Sequence, residues 1–129
     1  MPKQVIRPNG MAISPAYSHA IIKAGTPVFI AGHVALDGSG QLVGEGDAKA
    51  QTMQVFQNLR SVLKACGGTL EDVVKITVYT TDLAHRAAIG EARASFFAAG
   101  QAPASTFVVV SSLADRRFLV EIEAVAVVE

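Results

Sequence analysis

The sequence has very little of what disulfide-linked and nucleic-acid-binding proteins are built from. Cys66 is the one cysteine among 129 residues, which leaves neither a disulfide framework nor a cysteine-based metal motif. Beside Gly67 and Gly68, at a predicted helix end, we expect it to be a small buried or half-buried hydrophobe. Eleven Lys and Arg balance eleven Asp and Glu, and the basic residues are scattered. We therefore expect no nucleic acid among its partners.

Long apolar runs and metal-ligand spacings are missing too. No stretch approaches the roughly 18 apolar residues of a membrane span, and the N-terminal MPKQVIRPNG lacks the apolar part of a signal peptide. We expect a cytoplasmic protein with no membrane partner, and the length predicts a single domain over residues 1–129. His19, His33 and His85 form neither H-x-H nor H-E-x-x-H, so no metal site is predicted.

What remains is an apolar chain with alternating strand and helix patterns. Hydrophobic residues make up 50% of the sequence, more than a small monomer easily keeps from water, and charged residues only 17%. The patterns predict the order β-β-β-α-β-α-β-β, with KQVIR as the first strand and Gly25-Thr26 as a hairpin turn between the second and third. The first predicted helix runs from Ala48 to Gly67 and is followed by a strand with Val74, Ile76 and Val78 on one face. A second helix from Asp82 to Gly100 precedes two final strands at about 106–111 and 118–128.

Two helices on one face of a mixed sheet leave the opposite face uncovered. Because the strands are rich in Phe, Val and Ile, neither face is expected to be fully solvated. The uncovered face is therefore predicted to meet another subunit, in an obligate oligomer whose clefts can hold a ligand.

The last strand carries the strongest candidate for acid-base chemistry. In FLVEIEAVAVV, alternation places Glu121 and Glu123 on the same face among aliphatic residues. A carboxylate in that setting needs a partner or a proton, which is one way to build a general acid or base. The alternative is that both pair with basic residues such as Lys75. His19 and His33, on the two arms of the predicted hairpin, are expected to be cross-strand neighbours that either line a cleft or make structural hydrogen bonds.

Six segments together resemble the RidA/YjgF family of enamine and imine deaminases. They are AYSHAI (16–21), VFIAGHVALDGSGQLVG (28–44), QTMQVFQNL (51–59), DVVKITVYTTD (72–82), PASTFVVV (103–110) and VEIEAVAV (120–127). The resemblance implies an α+β fold like that of chorismate mutase, in a homotrimer with three clefts between subunits. It also implies hydrolysis of reactive imines and enamines to a keto acid and ammonia, without metal or cofactor.

The same resemblance implies roles for individual residues. Tyr17 matches the cleft tyrosine, Gly32 the glycine of the family's Ser-Gly-Gln stretch, and Glu121 the glutamate associated with the attacking water. Ser105, where the family has an arginine that grips the substrate carboxylate, is the main departure. A neutral hydrogen bond replaces two ionic ones there, which weakens binding of a 2-imino acid by roughly ten- to a hundredfold. The other candidate binding residues are Thr106, Phe107, His19 and His33, the last two where glutamine is common.

Two function hypotheses follow, and Ser105 motivates both. The first is a hydrolase of the family with shifted specificity, for which Arg116 or Arg117 is one candidate substitute anchor. The second is a non-catalytic trimer that binds a small metabolite as a sensor or partner protein. Members of the family have also been called endoribonucleases, which zero net charge and the absence of a basic stripe disfavour.

Overall fold

The computed structural model describes residues 3–129, and its elements follow the predicted order β-β-β-α-β-α-β-β. No helix of that range is long and apolar enough to cross a membrane. The strands are β1 Gln4–Ile6, β2 Ala20–Ile22, β3 Thr26–His33, β4 Val73–Thr80, β5 Ala104–Val109 and β6 Val120–Val128; the helices are α1 Ala48–Ala65 and α2 Arg86–Ala94, with 3-10 turns at Leu70–Asp72 and Leu83–His85.

Four strands form a mixed sheet with the order β3-β6-β4-β5. Strands β4 and β5 are parallel, whereas β6 is antiparallel to both of its neighbours. Both helices bury their apolar stripes in one core on one face of this sheet, where Phe56, Leu59 and Ile89 lie against Ile76 and Ile122. The predicted α+β class, with two helices on one face of a mixed sheet, is confirmed.

The first two strands lie outside the main sheet, so the predicted hairpin between residues 18–24 and 27–31 is wrong. Strand β2 pairs with β1 in a separate two-stranded sheet, and β3 pairs with β6. Gly25 makes this departure possible: its φ of +143° favours glycine, and a Cβ there would lie 2.5 Å from the carbonyl oxygen of Val128. Residues 3–24, the N-terminal arm, cross to the other edge of the sheet, where the Ser18 amide donates to the carbonyl of Pro103 at 3.1 Å.

Helix α1 begins and ends as its sequence predicts. The Asp47 carboxylate accepts from the amide of Ala50 at 3.0 Å, which caps the first turn. At the other end, Gly67 has a φ of +80° and the amide of Gly68 donates to Leu63 O at 2.8 Å. Cys66 lies at this helix end beyond the last buried residue of the stripe, so its predicted burial is wrong and the thiol is exposed.

Two other boundaries differ from the sequence prediction for local reasons. A bulge between Val73 and Lys75 shifts the register, so Val73 takes the core position expected of Val74. Helix α2 ends at Ala94 instead of Gly100. Phe96, just past its end, still packs into the core by stacking on Phe56 with ring centroids 5.0 Å apart.

Gln51 ties α1 to two loops from inside the protein, a role its sequence pattern did not indicate. Its side chain is fully buried, and its amide nitrogen donates to Gly44 O at 3.1 Å and Arg117 O at 2.9 Å. Its amide oxygen accepts from the backbone of Leu119 at 2.8 Å. These bonds hold the approach to β6 against α1 and so set where β6 enters the sheet.

Gln51→Leu should lower the free energy of unfolding by about 2 to 4 kcal/mol, because three backbone groups lose their partner. The measurement is urea unfolding at a fixed protein concentration. Gln57→Leu, at an exposed glutamine of the same helix, is the control and should change stability by less than about 0.5 kcal/mol. Equal effects from the two variants would show that the buried bonds do not stabilise the junction.

Candidate functional site

The sheet face away from the helices, here called the open face, carries the predicted carboxylates. Glu121 is paired in register with Tyr79, and Glu123 with Thr77, whereas the residues between them belong to the core. The predicted shared face of Glu121 and Glu123 is therefore confirmed. Phe29 lies beside Val125 on this face with 79% of its surface exposed.

The two carboxylates have different surroundings. The Tyr79 hydroxyl donates to Glu123 Oε1 at 2.7 Å, and this hydrogen bond raises the pKa of Tyr79 above its ordinary value. No residue in the range 3–129 makes a hydrogen bond or ion pair with the carboxylate of Glu121. Lys75, which sequence reasoning offered as a partner for the carboxylates, donates to Thr106 Oγ1 at 2.6 Å instead. Glu121 is thus the carboxylate left free to bind something else.

Gly32 provides the space in which the Glu121 side chain lies. It sits in a bulge of β3 between Ile30 and His33, next to β6. A Cβ on Gly32 would lie 2.9 Å from Glu121 Cδ and closer still to Oε2, so any side chain there would push the carboxylate away. The reason for glycine is contact with the carboxylate, because its φ lies outside the left-handed region.

The other predicted site residues gather at β5, the opposite edge of the sheet. Tyr17 and His19 lie on the N-terminal arm with ring centroids 5.8 Å apart. Ser18 between them is bridged in register to Ala104, the first residue of β5. The arm therefore brings Tyr17 close to the chain segment that carries Ser105.

Ser105 faces the helices, on the side of the sheet opposite to Glu121. It is paired with the buried Ile76, and Phe107 with the buried Val78, whereas Thr106 shares the open face with Thr77. Since directly paired residues point to the same side, Ser105 and Glu121 of one chain cannot contact the same small ligand. The predicted site residues thus form two separate groups within a single chain.

The partner of Ser105 is a residue that sequence reasoning missed. Arg93 of α2 donates from Nη1 to Ser105 Oγ at 3.4 Å. Burial of the guanidinium, together with the nearby charge of Arg86, lowers the pKa of Arg93 below its ordinary value. The sequence carried one signal for this position. Arg93 follows the buried Ile89 by four residues, and residues four apart share a helix face, so Arg93 could have been placed on the face of α2 that turns toward the sheet.

The remaining candidates are placed as follows. His19 and His33 are not cross-strand neighbours, because β2 leaves the sheet; the Nδ1 of His19 is buried without a partner within residues 3–129. His33 lines a cleft of about 440 Å³ with Asp37 and Asn58.

Arg117, one of the two candidate substitute anchors, forms an ion pair with Asp115 at 3.0 Å. Over residues 3–129, no group of three His, Cys, Asp or Glu side chains could hold a metal ion.

Comparison with known proteins identifies the family. The family model described as Endoribonuclease L-PSP matches residues 9–128. The chain belongs to this family, which includes the RidA/YjgF proteins. A RutC family protein of Pyrococcus horikoshii is 43% identical over 110 residues, 85% of each chain.

Solved structures agree with the family assignment. The Rid family protein YyfB from Yersinia pestis, described as of unknown function, is 38% identical with a TM-score of 0.92, covering 99% of this chain and 100% of that one. RidA from an Antarctic Psychrobacter is 34% identical with a TM-score of 0.74, covering 97% of this chain and 99% of that one. The fold of this chain is therefore that of solved Rid proteins.

Gly32→Ala should move the Glu121 carboxylate while leaving the fold intact, because the atoms it displaces are the far end of a flexible side chain. A crystal structure of the variant would show the carboxylate rotated out of its place beside β3. The melting temperature should fall by no more than a few degrees. Gly38→Ala is the control, since a Cβ there meets nothing within 4 Å. An unmoved Glu121 in the Gly32→Ala structure would contradict the role given to Gly32.

Proposed function

We propose that the protein is a cofactor-independent hydrolase of reactive imines and enamines, with Glu121 as the residue that orients the attacking water. The observation that carries this proposal is the unpartnered carboxylate of Glu121 beside Gly32. Glu123, two residues away, is already bound by Tyr79. Membership of the family that includes the RidA proteins supports the reaction class.

The chemistry requires one carboxylate and one water. A carboxylate that accepts a hydrogen bond from water directs the water oxygen at the imine carbon, and its charge stabilises the protonated iminium. Addition of water gives a carbinolamine, and proton transfer to its nitrogen lets the carbon-nitrogen bond break. The products are a carbonyl compound and ammonia. An enamine enters the same sequence after protonation at carbon gives the iminium.

The proposed site lies between two copies of the chain, in a homotrimer. Support comes from the opposite orientations of Ser105 and Glu121, because a small ligand meets both only if each comes from a different copy. The open face, with the exposed Phe29 among polar side chains, is the surface such an assembly would cover. In this proposal one copy contributes Tyr17, His19, Ser105 and Phe107, and its neighbour contributes Gly32, Thr106 and Glu121. His33 is paired with the buried Ile122 and lies in a cleft beside α1, so it is not part of this group.

Glu121→Gln should lower ammonia release from an imine by about a hundredfold or more, because the amide no longer accepts a proton from the attacking water. The imine is generated in situ by an amino-acid oxidase and, in parallel, by an amine oxidase. Glu123→Gln is the matched control, on the same strand and face but already engaged by Tyr79, and should retain most of the activity. Equal rates for Glu121→Gln and the unsubstituted protein would remove Glu121 from the mechanism.

Phe29→Asp should dissociate the proposed trimer, because a charge would then be buried in the interface proposed for the open face. Light scattering of the unsubstituted protein should give the mass of three chains, and the variant a lower mass. Leu83→Asp, at a residue 61% exposed in the 3-10 turn outside the strands of the sheet, should leave the mass unchanged. A monomeric unsubstituted protein would overturn the intersubunit site.

A non-catalytic trimer that binds a small metabolite is the second candidate, favoured by Ser105 in place of the family's arginine. It requires calorimetric binding of a ligand with no product formed from either imine source. Ammonia release that depends on Glu121 would exclude it.

A further inference from the structure

A small cavity beside α2 has an apolar wall and one cationic side chain. Its volume is about 380 Å³, and Arg93 is the one charged residue among those that line it within the described range 3–129. The cavity extends from the C-terminal half of α2 to the N-terminal arm just ahead of Tyr17. The apolar wall is formed by Pro15, Ala16, Ala94, Phe97, Ala98 and Ala102.

The guanidinium of Arg93 is half-buried and makes no ion pair with any residue between 3 and 129. Its one hydrogen bond within residues 3–129 is the 3.4 Å contact with Ser105, and none of the ion pairs in that range includes it. The charge that contributes to lowering its pKa, that of Arg86, has the same sign. A partly desolvated cation that bonds only a neutral hydroxyl is stabilised by any anion that reaches it.

Other cations of the chain are already occupied or lie elsewhere. Arg117 is held by Asp115, and Lys75 donates to Thr106 on the other side of the sheet. Lys23 pairs with Asp72, with only 7% of the lysine side chain exposed. Arg93 is therefore the guanidinium that lies next to Ser105, and it is carried by α2, whereas Ser105 is carried by β5.

We propose that Arg93 binds the carboxylate of the substrate, replacing from α2 the cation that Ser105 does not supply from β5. This rests on the proposed hydrolase function and adds to it a residue that positions substrates carrying a carboxylate and a short apolar side chain. The guanidinium offers two parallel N–H donors to a carboxylate, Ser105 adds a hydroxyl, and the apolar wall receives the side chain. Because Arg93 Nη1 lies 3.4 Å from Ser105 Oγ, both side chains can reach one carboxylate.

Binding of a stable carbonyl product analogue tests the anchor without turnover. The probe is 2-oxobutyrate, titrated into the full-length protein by calorimetry or by NMR, and its neutral counterpart is 2-butanone. Arg93→Ala should weaken 2-oxobutyrate binding by roughly ten- to a hundredfold, the loss expected for a bidentate ionic contact. Binding of 2-butanone should be weak and equal in both proteins.

Two further variants separate recognition from folding. Arg93→Gln keeps most of the side-chain volume and should lose affinity as Arg93→Ala does, with an unchanged melting temperature. The double variant Arg93→Ala/Ser105→Arg returns a guanidinium to the same place from the strand and should regain most of the affinity. Lys64→Ala, at an exposed lysine of α1 outside the cavity, is the control and should bind as the unsubstituted protein does.

The possible results either support or overturn the anchor. Full affinity in both Arg93→Ala and Arg93→Gln, equal affinity for 2-oxobutyrate and 2-butanone, or no binding of 2-oxobutyrate at millimolar concentration would each overturn it. Ammonia release from 2-imino acids that persists in Arg93→Ala at an unchanged KM would also overturn it and leave the hydrolase intact. Arginine-dependent 2-oxobutyrate binding with no ammonia release from any imine would keep Arg93 as a carboxylate site and refute the hydrolase.

Coexpression of two impaired variants, assayed at low substrate concentration, locates the anchor relative to Glu121. Arg93→Ala and Glu121→Gln each disable one half of an intersubunit site, and random mixing into trimers restores about a quarter of the sites. Ammonia release from 2-imino acids by the mixture, well above that of either variant alone, supports the anchor. A mixture no more active than the better single variant would contradict an anchor that works with Glu121 of another copy.

Discussion

Strand β6 is the element on which the rest of the molecule depends, because it pairs with strands on both sides and alternates strictly between two environments. Ile122, Ala124 and Ala126 are buried under the helices, and the glutamates between them point to the open face. A shift of one residue in its pairing would exchange the two sets and bury both carboxylates in the helix-facing core. The hydrogen bonds of Gln51 to the segment before β6 help to set that register from the helix side.

The candidate chemistry follows from the same alternation. Because β6 places Glu121 on the open face beside the bulge of β3, Gly32 can receive the carboxylate against bare backbone. On β5 the same alternation places Ser105 on the helix-facing side of the sheet, because Ser105 is paired with Ile76. There the side chain of Arg93 from α2 donates a hydrogen bond to it. The two halves of the candidate site therefore lie on opposite sides of one sheet. This is why a site built from them needs two copies of the chain.

Several features were predictable because they depend on residues near one another in sequence. The Asp47 cap, the glycine-terminated end of α1 and the shared face of Glu121 and Glu123 are of this kind. The errors concern choices among distant partners. The sequence 18–31 has a hairpin pattern, yet β2 pairs with β1 and the arm reaches β5. The bulge at the start of β4, which exchanged the expected positions of Val73 and Val74, likewise has no local signal.

The family, the order of elements, the stripe of apolar residues on each helix and the shared face of Glu121 and Glu123 could be predicted from the sequence, because periodicity and motif spacing are local properties. The choice of Glu121 over Glu123 came from the family resemblance. Which of the two neighbouring carboxylates has a partner depends on the folded chain, because Tyr79 on β4 donates its hydroxyl hydrogen to Glu123 on β6. The folded chain also places Arg93 of α2 next to Ser105. Arg93 and Ser105 are distant along the chain, and the parallel pairing of β5 with β4 under α2 brings them within 3.4 Å.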